Sequence, residues 1–140
     1  MKVLYIGVYK DGTGWGQGAI NYILSLDRAG VDVVCRNIKL NSMPYQPPSR
    51  ILELEKKNYK KYDVVVYNLL PHMVSYDKRF GKNIILYTTE TSLMAVNSWA
   101  QSINLMDAAI VSNEDSRICS QNSGVKTAIY TLPYADDITK

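Results

Sequence analysis

The chain has 140 residues, of which 46% are hydrophobic, 21% charged and 10% aromatic. At about 100–200 residues per domain this is a single domain spanning 1–140, and the composition excludes a disordered chain, a collagen-like repeat and a coiled coil. The net charge of +3 is local: Arg50, Lys56, Lys57, Lys60 and Lys61 face only Glu53 and Glu55 in 49–62, and the rest of the chain is neutral, which excludes the broad positive field of a nucleic-acid binder.

Lys2–Val8 is short, β-branched and aromatic, and predicts a buried strand. A glycine-rich loop is expected over Tyr9–Gly18. Ala19, Tyr22, Ile23 and Leu26 then recur at helical spacing, and Gly30 supplies a C′ stop. Val31–Arg36 predicts strand two. Asn41–Ser49, with Pro44, Pro47 and Pro48, predicts a loop. Arg50–Tyr62 predicts a helix with Ile51, Leu52, Leu54, Tyr59 and Tyr62 on one side and Lys56, Lys57, Lys60 and Lys61 opposite. Asp63–Asn68 is strand three, Pro71–Phe80 a short helix or structured loop, and Asn83–Tyr87 strand four. Thr88–Ser92 is a polar turn. Met94–Met106 is a helix, Ala108–Ser112 strand five, Asn113–Ser123 a helix stopped by Gly124, and Lys126–Leu132 strand six.

These strands are near-continuous apolar runs alternating with helices. The pattern predicts an α/β fold: an open, mostly parallel sheet of about six strands with helices on both faces. In such sheets ligands bind beyond the carboxyl ends of the strands. The segments expected there are Tyr9–Gly18, Asn37–Ser42, Asn68–His72, Thr88–Ser92, Ser112–Asp115 and Pro133–Asp137.

Gly12, Gly14, Gly16 and Gly18 alternate in the first of these. They suit a close-packed loop, or a backbone cradle for a phosphate or sugar at a helix N-terminus. Gly14-x-Gly16-x-x-Ala19 also fits a dinucleotide fingerprint, although the glycines come several residues after the strand. Strand two offers Arg36 and Asn37 at its tip rather than an acid for a ribose. His72 is the only histidine, so no histidine-based metal site is expected; it is either a surface loop residue or a ligand contact. Glu90 is either a helix-capping acid or a ligand contact, and Asp136 and Asp137 read as solvated. Lys56, Lys57, Lys60 and Lys61 form either a solvated face or a docking stripe for anionic lipid. No apolar run approaches ~18 residues, the N-terminus turns polar too early for a signal peptide, and Cys35 and Cys119 make no motif. A cytoplasmic protein with buried free thiols is expected, possessing at most peripheral membrane contact.

An ordered series runs through the second half: Glu90-Thr91-Ser92, Trp99, Asn104-Leu105-Met106-Asp107, Ala109-Ile110-Val111-Ser112-Asn113, Ser123-Gly124-Val125 and Leu132-Pro133. With the glycine loop and Gly30-Val31-Asp32-Val33 of the first half, it resembles the N-terminal domain of GT-B glycosyltransferases of the glycogen-synthase-like, nucleotide-sugar-dependent group. The resemblance covers nearly the whole chain. It implies a Rossmann-like, acceptor-side half of an enzyme that moves a hexose from a nucleotide-diphosphate sugar to a hydroxyl acceptor. The donor would be held by a C-terminal domain, in the same chain or another, and this half alone would be inactive and carry no cofactor. Gly14, Gly16 and Gly18 would bring backbone N–H groups to the sugar or diphosphate. Asn68, His72 and Glu90 would line the acceptor side and are the catalytic candidates. The chain departs from the pattern at Ala135, where a glycine is usual, and at Asn68, where a histidine is common. Two other functions fit the residues: a stand-alone binding module for a glycan, lipid headgroup or protein, and a small NAD(P)-binding domain in which Arg36 reads a 2′-phosphate.

Overall fold

A computed structural model describes residues 1–39, 45–88 and 97–132. The elements are β1 (Lys2–Gly7), α1 (Gly14–Arg28), β2 (Asp32–Asn37), α2 (Ser49–Lys56), β3 (Val64–Tyr67), a 3-10 turn (Pro71–Met73), β4 (Lys82–Tyr87), α3 (Asn97–Ile103), β5 (Ala108–Val111), α4 (Glu114–Asn122) and β6 (Ile129–Thr131). The strands form one sheet in the order β2-β1-β3-β4-β5-β6. All five neighbouring pairs are parallel. This is an open, Rossmann-like α/β sheet.

Strand alternation divides the apolar side chains between two faces. On one face Val3, Tyr5, Val33, Cys35, Val66 and Leu86 pack against α1 and α2, through Ala19, Ile20, Ile23, Ile51 and Leu54. On the other, Ile85, Tyr87, Ala109 and Val111 pack against Ala100 and Ile103 of α3. The Tyr87 hydroxyl donates to Ser120 Oγ of α4 on that same side, at 2.7 Å. Both faces are covered, which is why the strands carry few polar residues.

Helix ends follow local chemistry. Thr13 caps α1, its Oγ1 accepting from Gly16 N at 3.2 Å. Asn113 caps α4, its Oδ1 accepting from Ser116 N at 2.8 Å, and Glu114 and Asp115 place negative charge in the first turn. Gly30 and Gly124 adopt φ of +89° and +98°, the left-handed conformation expected past helices α1 and α4.

Two sequence expectations are corrected, and a third is made specific. Helix α1 begins at Gly14, so the loop expected over Tyr9–Gly18 ends at Thr13 and three of its glycines are helical. The helix expected over Arg50–Tyr62 stops at Lys56. There Arg36 Nη1 donates to the Glu55 carbonyl at 2.7 Å and Nη2 to the Lys57 carbonyl at 2.8 Å. Lys57 turns extended and its Nζ reaches Asp32 Oδ1 at 2.9 Å, while the Tyr59 hydroxyl donates to the same oxygen at 3.2 Å. These long-range bonds outweigh the helical periodicity, since propensity is a weak preference that tertiary contacts override. The segment Pro71–Phe80 is a single 3-10 turn followed by irregular chain. The predicted loop residues 41–44, most of the polar turn Thr88–Ser92 and the tail 133–140 lie outside the described residues.

The start of α1 lies against the chain leaving β1. A Cβ on Gly16 would sit 2.1 Å from the Asp11 carbonyl oxygen and 3.0 Å from that of Val8. Both obstacles are backbone, so neither can rotate away. Nothing lies within 4 Å of a Cβ on Gly14. Gly16→Ala is therefore expected to destabilise the fold by about 1–3 kcal/mol through overpacking, whereas Gly14→Ala is expected to be neutral or stabilising by up to about 1 kcal/mol. Urea denaturation of the two variants checks the contrast; equal stabilities would remove the close approach as a constraint.

Candidate functional site

The strand order reverses direction between β1 and β3, and a crevice at the carboxyl ends of the strands is expected at such a switch. A cavity of about 450 Å³ opens there. Helix α1 forms one wall with Gly14, Trp15, Gln17, Gly18, Ala19, Asn21 and Tyr22. Asn68, just past β3, and Leu86, Tyr87 and Thr88 at the end of β4 form the other. Its volume is that of a small-molecule pocket.

The polar groups are held in fixed directions. The Tyr5 hydroxyl donates to Asn68 Oδ1 at 2.7 Å, and Asn68 Nδ2 donates to the Leu86 carbonyl at 3.2 Å. Burial, with Tyr22 nearby adding to it, pushes the Tyr5 phenol well above its ordinary pKa, so it remains a donor. The Asn68 amide is thus clamped at both ends and keeps one N–H and one lone pair for a ligand. Gln17 Nε2 donates to Asn21 Oδ1 at 3.1 Å, which anchors Asn21 at its oxygen. At the start of α1, Gly16 N is taken by Thr13 Oγ1 and Gln17 N by the Thr13 carbonyl. A helix leaves its first N–H groups without internal partners, and Gly14 and Trp15, the first two residues of α1, both line the cavity. Among the described residues that line it, none is charged.

The chain between β1 and α1 is anchored from behind. Tyr9 Oη donates to Glu55 Oε2, and Lys10 Nζ lies 2.8 Å from Glu55 Oε1. Lys10 N donates to Asn37 Oδ1 at 2.9 Å, and the Lys10 carbonyl accepts from Tyr45 N at 2.9 Å. Partial burial pushes the Glu55 carboxyl up, but the hydrogen bonds from Lys10 and Tyr9 and the Arg36 charge outweigh it, and its pKa is lowered. Burial likewise raises the Cys35 thiol to about 11, so it is inert as a nucleophile near neutral pH.

The structure brings together some of the residues singled out from sequence and separates others. Gly14, Gly18 and Asn68 line the cavity. Gly16 does not; it is buried beneath, against the Asp11 backbone, with its N–H used by the cap. Gly18, at the fifth helical position, has its N–H within the helical ladder and offers the cavity only its lack of a side chain. His72 is exposed on the 3-10 turn and stacks on Trp99, with centroids 6.1 Å apart and planes at 19°; it is absent from the cavity wall. Glu90 lies outside the described residues, two positions beyond Thr88. Arg36 is turned onto the carbonyls that close α2 rather than towards the cavity. The four lysines do not share a helix face: α2 ends at Lys56, Lys57 pairs with Asp32, and Lys60 and Lys61 are exposed in the irregular segment that follows. Among the described residues no three His, Cys, Asp or Glu side chains converge as metal ligands, and no helix is long and apolar enough to cross a membrane.

Sequence reasoning missed Trp15, Gln17, Asn21 and Tyr22 as site residues. A signal was present: Asn21 stands between Ile20 and Tyr22, four residues after Gln17, and is buried. A buried amide on a helix must find partners, and a second amide at i−4 supplies one. Compared with known proteins, the chain matches no family model and has no significant match among curated proteins.

Because the Glu55 carboxyl is lowered in the fold, it stabilises the folded chain above the ordinary pKa of 4.5, and that contribution is lost as pH falls through the folded value. Glu55→Gln is expected to be less stable than the parent near neutral pH. The gap should close as pH falls through the lowered folded value, below the ordinary 4.5. Chemical denaturation across this range checks it; a gap independent of pH would show that the carboxylate charge is not what holds the loop.

Proposed function

We propose that the chain is the acceptor-binding, N-terminal half of a GT-B glycosyltransferase that moves a hexose from a nucleotide-diphosphate sugar to a hydroxyl acceptor. The observation that carries this reading is the cavity at the switch point, whose described lining is uncharged amides and aromatic rings. A diphosphate calls for cationic side chains as well as backbone N–H groups. A neutral polyhydroxylated ring calls for what is present: amide donors and acceptors for its hydroxyls and flat apolar surfaces for its C–H faces. The ordered series from Glu90 to Pro133 supports the same assignment.

In this reading Trp15 and Tyr22 wall the acceptor ring. Asn21 and Asn68 hold its hydroxyls, and the Gly14 and Trp15 N–H groups hold one oxygen at the mouth. Transfer would form a bond from an acceptor hydroxyl oxygen to the anomeric carbon as the bond from that carbon to the diphosphate breaks. The clamped Asn68 amide orients the hydroxyl and takes no proton. Glu90, two residues beyond Thr88 in sequence, is the carboxylate proposed to receive it. The diphosphate and its charge belong to the donor-binding domain, which the reading requires as a partner. The two buried free thiols support a cytoplasmic setting.

The test is saturation-transfer NMR with a panel of neutral hexosides and, separately, NADPH. At least one hexoside should receive saturation from the protein. Trp15→Ala should weaken its binding about tenfold, corresponding to ~1.4 kcal/mol. Binding of NADPH in the cavity in preference to every hexoside would replace the reading with the dinucleotide one. Binding of no hexoside by the folded chain would remove the acceptor role.

A further inference from the structure

The opposite, amino-terminal edge of the sheet has a different chemistry. Parallel register sets Lys2 and Lys82 on either side of Asp63: Lys2 N donates to Asp63 Oδ2 at 2.8 Å, and Lys82 N to the Asp63 carbonyl at 3.1 Å. The segment 57–63 crosses this edge. Its Tyr59 hydroxyl is fixed on Asp32, and Lys2 Nζ lies 4.4 Å from the centre of the Tyr59 ring. The segment around Asp77–Arg79 joins the same edge, since Asp77 N donates to Asn83 Oδ1 at the second position of β4.

Seven basic residues meet four acidic ones here, and the acids are all engaged. Asp32 is held by Lys57 and Tyr59, Asp63 by Lys2 N, Asp77 by Arg79, and Asp107 by Asn83 N. Lys2, Lys60, Lys61, Lys78 and Lys82 are exposed and make no ion pair among the described residues. This edge therefore carries three more basic than acidic side chains, its bases drawn from three separate segments. Between these lysines Tyr59, Tyr62 and Phe80 form a row of partly exposed rings, with centroids 5.9 Å and 6.2 Å apart.

We propose that this amino edge is a docking face for an anionic lipid bilayer. Unpaired lysines attract a surface of negative headgroups, and partly exposed aromatic rings among them sit at headgroup depth. A nucleic acid is the poorer match: the rings pack on one another rather than offering free faces to bases. The cavity lies at the other edge, so a docked chain keeps it open to solvent. The inference does not depend on the sugar-transfer reading.

The test is co-sedimentation of the chain with vesicles of phosphatidylcholine containing about one-third phosphatidylglycerol. Pelleting is expected at about 50 mM NaCl and release at about 500 mM. Vesicles of phosphatidylcholine alone should leave the protein in solution. Lys60→Glu with Lys61→Glu, both exposed, should weaken pelleting by at least about tenfold without moving the melting temperature. Lys39→Glu with Arg117→Glu changes net charge equally away from this edge and should retain binding. Equal pelleting by the two variants, equal pelleting on neutral vesicles, or tighter binding of a short DNA than of the anionic vesicles would overturn the proposal.

Discussion

The contact between Gly16 and the Asp11 carbonyl sets the geometry of the candidate site. Because no side chain intervenes, α1 enters directly against the chain leaving β1. Thr13 is thereby brought into capping position, and the two residues between it and Gly16, Gly14 and Trp15, line the cavity. The same placement puts the Gln17–Asn21 pair opposite Asn68 across the cavity. A helix starting even half a turn later would rotate Asn21 out of the wall, since successive residues advance about 100° around the axis.

Two polar networks support this arrangement from behind. Tyr5, Asn68 and the Leu86 carbonyl tie together residues of β1 and β4 and the end of β3 with one buried phenol and one amide. Glu55 and Arg36 tie the β1 loop and the end of α2 to β2, one by accepting from Tyr9 and Lys10, the other by donating to helix-end carbonyls. Both networks are largely satisfied, and among the described residues no buried side-chain polar atom lacks a partner. Such networks hold backbone in one position more firmly than apolar packing does, because breaking one strands a desolvated group. The two ends of the sheet also differ in charge among the described residues: the cavity lining at the carboxyl edge is uncharged, and the amino edge is rich in lysine.

Much of the fold was legible in the sequence because it rests on local signals. DVVVYN and NIILY are strand-like on their own, and Gly30 and Gly124 mark helix ends through a backbone conformation that other residues avoid. The start of α1 was not legible in the same way. Glycine is a poor helix former, so a run containing Gly14, Gly16 and Gly18 reads as loop until the cap at Thr13 and the backbone it packs against are known. The length of α2 was hidden for the opposite reason. Its periodicity continues to Tyr62, but Arg36 and Asp32, distant in sequence, capture the carbonyls and side chains that would have extended it. Asn68 was legible from its place after a strand, whereas Asn21 was masked by the apolar face around it. His72 was placed at the correct edge, yet its ring is spent on Trp99.

The strand order also governs when the chain can fold. β1 precedes the other strands in sequence but lies inside the sheet, between β2 and β3. Its second flank stays open until residues 64–67 have been synthesised, and every ladder in the sheet joins segments separated by at least a dozen residues. Such a topology has few local contacts to reward early and a high mean sequence separation, which slows folding. A nascent chain of this protein therefore emerges carrying an apolar, β-branched strand with both edges unpaired. The next element in sequence, α1, supplies Ala19, Ile20 and Ile23 to one face of that strand, while its edges wait for β2 and β3.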